Sequence, residues 1–319
     1  MKNTTKKWLI AAGILIAVGL ILFGGVLYMK QWDLSFLETE KFETHIHEIE
    51  SDFRNLSFDT ETADIVFAAS DDGGCRVFCF EPENRSHSVS VKDGTLLVSS
   101  ERKVGAVFGI HFHSPRITVY LPETEYASLV IRESTGDVEI PGDFRFESAD
   151  LSAKTGAIEF SSSVSGLVKI RTTTGEIELE DMTAGEIDLA VSTGEVSLSG
   201  VTVSGDVNLG VTTGEAKVER VVCRNLFSTG STGELYLEQV KATEKLTLKR
   251  TTGDVELRQT DAGEISVETT TGDVSGTLLS EKIFLAESTT GRINVPKTAS
   301  GGRCEVRTTT GDIDLSLAK

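Results

Sequence analysis

A short motif centred on glycine recurs ten times between Ser134 and Leu315, and it constrains the fold more than any other feature of the chain. One copy reads Thr173-Thr174-Gly175-Glu176-Ile177-Glu178-Leu179. Successive copies are 19 or 20 residues apart, with central glycines at Gly136, Gly156, Gly175, Gly194, Gly214, Gly233, Gly253, Gly272, Gly291 and Gly311. A period this regular indicates stacked structural units rather than one compact globule.

Apolar and polar residues alternate on both sides of each glycine. Ile177 and Leu179 follow Gly175 at the second and fourth positions, and Val168 and Ile170 precede it at the seventh and fifth. Alternation with many β-branched residues is typical of half-buried strands, and no repeat shows the spacing of a helix. A second, weaker turn signal, such as Ala184-Gly185-Glu186, falls near the middle of the unit. Each unit is therefore expected to contain two short strands and two turns.

We predict an all-β fold: a β-solenoid, or β-helix-like rod, of about ten rungs of 19–20 residues. Its rungs would pair in parallel, with the repeat glycine supplying a positive φ at one turn. The alternative is a long antiparallel meander in which every half-unit folds back on the one before. We rank the meander second because it gives no reason for similar residues to return once per full unit.

The N-terminal region carries 22 consecutive uncharged, mostly apolar residues, 8–29. A helix of this length can cross a hydrocarbon layer of about 30 Å, so we predict one transmembrane helix, with a cleaved signal peptide as the alternative. Lys2, Lys6 and Lys7 precede it, which places the N-terminus in the cytoplasm and the bulk of the chain outside the cell. The predicted segments are a cytoplasmic tail at 1–7, the transmembrane helix at 8–29, a juxtamembrane stalk at 30–50, an irregular N-terminal β cap at 51–133 and the solenoid repeats at 134–319.

Charge is strongly asymmetric: 49 acidic residues oppose 31 basic ones, and every acidic residue follows the apolar run. Such a surface argues against nucleic acid and anionic lipid as partners and suits cations or a cationic partner. The residue after the repeat glycine is acidic in eight repeats: Asp137, Glu176, Glu195, Glu215, Glu234, Asp254, Asp273 and Asp312. A solenoid would align these residues as one acidic column.

Two interpretations of the acidic column stay open. The acids could keep the turns soluble and cap their backbone amides. They could instead collect Ca²⁺ or Mg²⁺ weakly, or meet a cationic surface such as an amine-bearing wall polymer. The candidate ligands for a weak Ca²⁺ site are Glu195, Glu215, Glu234, Asp254 and Asp273.

Histidine and cysteine supply the other candidates for chemistry. The pairs His45/His47 and His111/His113 each place two imidazoles on one face of a strand, a spacing that can bind a transition metal. Solvent-facing or cap-packing histidines are the alternative. The four cysteines, Cys75, Cys79, Cys223 and Cys304, are expected to be buried free thiols, because their positions on the strands keep them too far apart to bridge. We expect no cofactor.

Several features together resemble a known family. They are the N-terminal anchor, the strand Arg116-Ile117-Thr118-Val119-Tyr120-Leu121-Pro122, and serial units of the form Ser/Thr-Thr-Gly-Asp/Glu-Val/Ile-x-Leu. They resemble the bacterial "putative adhesin" family of unknown function, which includes LiaG-like cell-envelope proteins, and the resemblance covers residues 50–317. It implies a β-solenoid on the cell surface, sometimes associated with responses to envelope stress. It implies no catalytic residues.

The sequence favours a membrane-anchored cell-surface binding or scaffolding protein, with a cell-wall polymer or a membrane protein as its partner. A regulator or spacer for another membrane protein is one alternative. A carbohydrate-active β-helix enzyme with clustered carboxylates is another, but the regular intervals leave no room for the long loops of such sites. No Gly-x-Ser-x-Gly elbow or phosphate loop occurs, so we expect no enzyme. The chain stops soon after Leu317, which would leave the tenth repeat as an uncovered edge available for self-association.

Overall fold

The repeats form stacked, parallel rungs. The computed structural model describes residues 2–29, 41–83, 85–102 and 114–318. Each rung pairs with the equivalent residues of the next: Ile177 pairs with Val196, which pairs with Ala216. The predicted β-solenoid is confirmed, and the antiparallel meander is wrong for the repeats.

One helix precedes the strands in the described part of the chain, α1 at Lys2–Met29. The structure describes the side chains of this helix mainly between residues 12 and 26. The large apolar side chains in this range, such as Leu15 and Ile21, are exposed. Over the residues that the structure describes, no helix is long and apolar enough to cross a membrane. The membrane span at 8–29 stays a prediction.

The strands fall into three consecutive groups. The first group is β1 Phe42–Ile49, β2 Asn55–Thr62, β3 Asp64–Ala69, β4 Cys75–Pro82, β5 Arg85–Lys92, β6 Thr95–Arg102, β7 Arg116–Leu121, β8 Glu125–Thr135 and β9 Val138–Ile140. The second is β10 Arg145–Thr155, β11 Ile158–Phe160, β12 Ser163–Glu180, β13 Thr183–Ser199, β14 Thr202–Val203, β15 Asp206–Thr213, β16 Ala216–Glu219, β17 Val222–Thr232, β18 Leu235–Glu238 and β19 Lys241–Thr252. The third is β20 Val255–Thr271, β21 Val274–Leu278, β22 Lys282–Thr290, β23 Ile293–Asn294, β24 Gly302–Thr310 and β25 Ile313–Leu317.

Each rung bends at two kinds of corner. The repeat glycines have φ values between 128° at Gly233 and 156° at Gly291, so their predicted positive φ is confirmed. The corner after the second strand is left-handed at residues with side chains, including Asp181 and Arg220 at φ 46° and 52°. The two corners hold the two strands of a rung around a shared interior.

Inward-pointing apolar residues form one core that runs from Leu56 to Leu315. The aromatic residues concentrate at its N-terminal end, where the Phe58 and Phe67 rings are 5.4 Å apart and the Phe146 and Phe160 rings 6.3 Å apart. The later rungs stack aliphatic residues such as Leu246 and Val267, which are almost fully buried. Every residue of this core lies C-terminal to α1.

The segment predicted as a cap contains a complete rung. Strands β2 and β3 pair in parallel with β8 and β9, and Ala63 takes the place of the repeat glycine because Thr62 pairs with Thr135. Strand β8 begins at Glu125, so the regular rungs begin before residue 134. On the outer side, β6 and β7 pair in parallel with β2 and β3, and the antiparallel strands β5, β4 and β1 continue the sheet from there.

The predicted stalk is corrected in part. Strand β1, Phe42–Ile49, pairs antiparallel with β4 over its whole length. Phe42, His47 and Ile49 are half-buried against the cap, which gives this acidic segment enough apolar contact to form an edge strand. Residues 30–40 of the predicted stalk lie outside the described residues.

The rungs at the C-terminal end do not follow the order of the chain. Strand β24 of the tenth repeat pairs with β20 on one side and with β22 on the other, and β25 lies likewise between β21 and β23. The tenth repeat is therefore inside the rod, and the ninth repeat forms its end. Ile283, Leu285 and Ile293 of the ninth repeat are 45–47% exposed. The expected open edge at the tenth repeat is wrong, and self-association stays a prediction.

We expect amide hydrogens in β22 to exchange faster than those in β24. Strand β24 has a partner on both sides, whereas β22 has one described partner, and edge strands open at lower free energy. Peptide-level hydrogen exchange measured by mass spectrometry resolves the two strands. Equal protection of β22 and β24 would contradict this rung order.

Candidate binding face

The acidic column is present on the outer surface beside the repeat glycines. Glu176 and Glu195 occupy matching positions in adjacent rungs. Because Ala63 replaces the glycine in the first rung, Asp64 extends the column at the N-terminal end. Arg292 ends it on the ninth rung, where its guanidinium lies 2.7 Å from Asp312 Oδ2.

The aspartates of the column cap the next rung. Asp254 Oδ1 accepts the backbone N–H of Asp273 at 2.8 Å, and Asp273 Oδ1 accepts that of Asp312 at 2.8 Å. Asp137 Oδ1 accepts the N–H of Ala157 in the same way. The amide-capping interpretation is confirmed for these aspartates. Asp254 and Asp273, two of the candidate cation ligands, each have one oxygen engaged by the backbone.

The glutamates of the column behave differently. Their extra methylene carries the carboxylate past the neighbouring amide, and within the described part of the chain they make no hydrogen bond or ion pair. Three outward glutamates of the adjacent second-strand positions are also unpaired, and they stack directly, since Glu139 pairs with Glu159 and Glu159 with Glu178. We call the combined set the glutamate patch: Glu139, Glu159, Glu176, Glu178, Glu195, Glu215 and Glu234.

Burial and electrostatic repulsion raise the pKa of two glutamates in the patch. Partial burial raises the pKa of Glu178, and the carboxylates of Glu176 and Glu159 raise it further. Burial likewise raises the pKa of Glu195, with added repulsion from Glu176 and Glu215 that the positive charge of Lys217 offsets in part. Like charges in directly opposed sheet positions destabilise a sheet, so a bound cation would relieve a cost already present in the fold.

The glutamate patch ends where acids become paired. On the following rungs Arg258 Nε lies 2.7 Å from Glu256 Oε1, and the Arg258 guanidinium sits 5.1 Å from the centre of the Tyr236 ring. On the Gly233 rung itself, the last rung of the patch, Tyr236 donates a hydrogen bond to Glu238. The unpaired carboxylates therefore occupy the rungs of Gly136 to Gly233, a length of about 24 Å at the spacing of neighbouring strands.

Of the predicted histidine pairs, the structure describes His45 and His47, and their side chains lie in different surroundings. His45 Nδ1 lies 2.8 Å from Glu81 Oε1, whereas His47 is half-buried and its Nε2 has no hydrogen-bond partner among the described residues. His111 and His113 lie outside the described residues.

The structure adds two polar residues that the sequence did not single out. Glu81 and His87 are buried beside Cys79, with 1% and 8% of their surface exposed. The sequence signal that could have found them is the alternation Cys79-x-Glu81 on one strand, with His87 near the start of the next strand.

The four cysteines are all buried free thiols, as predicted. Cys75 and Cys79 share β4, whereas Cys223 lies on β17 and Cys304 on β24. Burial raises the pKa of all four thiols to about 12.

Comparison with known proteins identifies a family for most of the chain. The family model described as Toastrack DUF4097 matches residues 53–219 and 203–319. A search of curated proteins gives no match.

Three solved structures with a similar fold come from Parabacteroides species. A "putative adhesin" from Parabacteroides distasonis is 14% identical, covers 88% of this chain and 98% of its own, and has a TM-score of 0.49. One from Parabacteroides merdae is 13% identical with the same coverages and a TM-score of 0.48. A "putative lipid binding protein" from P. distasonis is 16% identical, again with coverages of 88% and 98%, and has a TM-score of 0.47. At these identities and scores the three structures carry no functional argument.

Proposed function

The chain belongs to the toastrack DUF4097 family, and from this premise we propose that it is a cell-surface binding rod whose glutamate patch holds a polymer bearing positively charged amines. The observation that supports the proposal is the set of seven unpaired glutamates in two neighbouring columns of the rod. Several acids elsewhere on the same face cap backbone amides, as Asp254 and Asp273 do, or pair with arginine, as Glu256 and Asp312 do. The glutamate patch is thus a continuous acidic surface whose carboxylates have no partner among the described residues.

A polymer suits this geometry better than a small ion. Carboxylates repeat at about 4.8 Å along the rungs, so a chain with several amines can meet several of them at once, and each added contact multiplies the affinity. Ca²⁺ requires six to eight oxygen ligands, whereas the patch offers single carboxylates on separate strands. We therefore expect Ca²⁺ binding to be weak, and polymer binding to fall steeply with added salt.

The test is binding of residues 41–319 to a purified wall polymer with free amines and to the same polymer after N-acetylation. This fragment contains every described strand and the whole core. We expect the free-amine polymer to bind, and the triple variant Glu176→Gln, Glu195→Gln, Glu215→Gln to bind at least about tenfold more weakly, a loss of about 1.4 kcal/mol.

A matched control removes the same charge from another face. Glu147, Glu264 and Glu268 are exposed acids on first strands, and each lies beside a basic side chain. The triple Gln variant at these positions should bind as the unmodified fragment does. Equal losses in the two triple variants, or equal binding of the acetylated polymer, would rule out a role for the glutamate patch.

Location in the envelope forms the second part of the proposal. We propose that residues 8–29 anchor the chain in the cell membrane with the rod outside, supported by their lack of charge and by Lys2, Lys6 and Lys7 before them. The association with envelope stress expected from the family resemblance belongs to the same proposal. Protease added to intact cells should remove the rod and leave the N-terminal tail protected; protection of the rod would contradict the orientation.

A further inference from the structure

Three chemically different donors converge inside the N-terminal cap. Cys79 and Glu81 alternate on the inward face of β4, and His87 lies on β5, the next strand along the chain. Their exposed fractions are 0%, 1% and 8%. The Cys79 sulfur, a Glu81 carboxylate oxygen and a His87 ring nitrogen all lie within 4.8 Å of one another.

Glu81 is the centre of this group. Its Oε2 lies 2.6 Å from His87 Nδ1 and accepts the His87 backbone N–H at 2.8 Å. Its Oε1 lies 2.8 Å from Nδ1 of His45, which stands opposite Cys79 in the antiparallel pairing of β1 with β4. The His45 side chain is 46% exposed, so it stands between the buried donors and solvent.

A purely structural network of carboxylate and imidazoles explains only part of this arrangement. It accounts for Glu81 and its two histidines, but it gives the thiol no role. The Cys79 sulfur is fully buried, and it lies within 4.8 Å of a Glu81 oxygen and a His87 ring nitrogen. A divalent ion bound there would compensate the charges of a thiolate and a carboxylate at once.

We propose that Cys79, Glu81 and His87 bind a divalent transition-metal ion of the zinc class, with His45 completing the site from the solvent side. Thiolate, imidazole and carboxylate are the ligands that zinc uses in proteins, at about 2.0–2.3 Å from the metal. Those bond lengths set donors roughly 3.5 Å apart in a tetrahedron. Glu81 Oε2 and His87 Nδ1, now 2.6 Å apart, must therefore separate slightly, while the Cys79 sulfur, within 4.8 Å of both groups, adjusts to the same spacing. Side-chain rotation within the cap can supply this movement.

Binding has a defined proton balance. Cys79 gives up its thiol proton to solvent when the metal–sulfur bond forms, and each histidine binds through an unprotonated ring nitrogen while keeping its other N–H. Metal uptake by this site should therefore release protons and weaken as the pH falls. Because the ligands come from β1, β4 and β5, the ion would tie together strands that cover the first rung.

The experiment uses Co²⁺ as a spectroscopic probe on residues 41–319 under reducing conditions. We expect one Co²⁺ per chain with a thiolate-to-cobalt charge-transfer absorption, and displacement of that absorption by Zn²⁺. Cys79→Ser and His87→Gln should lose the absorption, and a Tm increase produced by Zn²⁺ should disappear with it. Cys223→Ser is the matched control, because it removes a buried free thiol on a distant rung and should leave the absorption intact.

Two results would overturn the site. One is the absence of thiolate-to-cobalt absorption in folded, reduced protein of unmodified sequence. The other is absorption that persists in folded Cys79→Ser, since the metal-bound thiolate would then be elsewhere. Circular dichroism of each variant establishes folding before the metal is added.

Discussion

Replacing Gly253 with alanine should lower the free energy of unfolding by about 3 kcal/mol or more. Gly253 has φ 140°, a conformation that costs a side-chain-bearing residue about 1–3 kcal/mol. A Cβ there would lie 2.1 Å from the Gly233 carbonyl oxygen. That carbonyl is held in the parallel ladder, so relief requires two rungs to separate. Urea denaturation of residues 41–319 measures the loss.

Gly210 provides the matched control for this substitution. It also lies in a rung strand, but a Cβ there would meet no atom closer than 3.8 Å. Gly210→Ala should therefore change the free energy of unfolding by less than about 1 kcal/mol, and it can stabilise the strand slightly. Similar losses for Gly210→Ala and Gly253→Ala would mean that backbone geometry at the repeat glycine is not what fixes the corner.

Stability should also rise on mild acidification because of Glu133. This side chain is 4% exposed, accepts the backbone N–H of Ser134 at 2.9 Å and receives a hydrogen bond from the Thr60 hydroxyl. Burial raises its pKa from 4.5 to about 7. An acid whose pKa is raised by folding is stabilising while protonated, and its contribution is lost as the pH climbs from the unfolded to the folded pKa.

Between pH 7.5 and pH 5.5 the Glu133 carboxyl should add about 2 kcal/mol to the free energy of unfolding. Glu178 and Glu195 have raised pKa values as well and act in the same direction. The measurement is therefore the difference between the unmodified fragment and Glu133→Gln, which should flatten the pH dependence by about that amount. Glu125→Gln, an exposed acid on the same strand, should leave it unchanged; an unchanged slope in Glu133→Gln would exclude this carboxyl as the source.

The repeat glycine predicted most of the rod, because a strict period, alternation and a positive φ all follow from the sequence. The motif search missed the first rung because one residue of its motif differs. Thr62-Ala63-Asp64-Ile65 keeps the motif except for alanine in the glycine position, and Leu56 and Phe58 keep the inward alternation before it. A search that allowed alanine at that position would have found it.

The exchanged order of the last two rungs could not be predicted from spacing, since Gly291 and Gly311 both keep the period. The composition of the ninth repeat is a weak indication that it forms the end of the rod. Ile283 and Leu285 are exposed and apolar, and Arg292 replaces the acidic residue, all on the repeat that forms the end of the rod. An edge rung has no neighbour on one side, so its preferences differ from those of an internal rung.

The candidate site was predictable as a column but not as a patch. Asp254 and Glu215 look equivalent in the sequence, yet one methylene decides whether the carboxylate caps the next amide or stays free. The cluster of Cys79, Glu81 and His87 in the cap was harder to predict from the sequence. His87 lies beside Glu81 although β4 and β5 do not pair with each other, and no sequence period predicts this contact.

The most direct test of the binding role is carbodiimide cross-linking of residues 41–319 to the amine-bearing wall polymer, followed by peptide mapping. The reagent joins a carboxylate to an amine only where the two are in contact. The proposal predicts cross-links at Glu176, Glu195 and Glu215, with few at Glu264 and Glu268. Cross-links spread evenly over both sets, or absent from the glutamate patch while the polymer is bound, would contradict it.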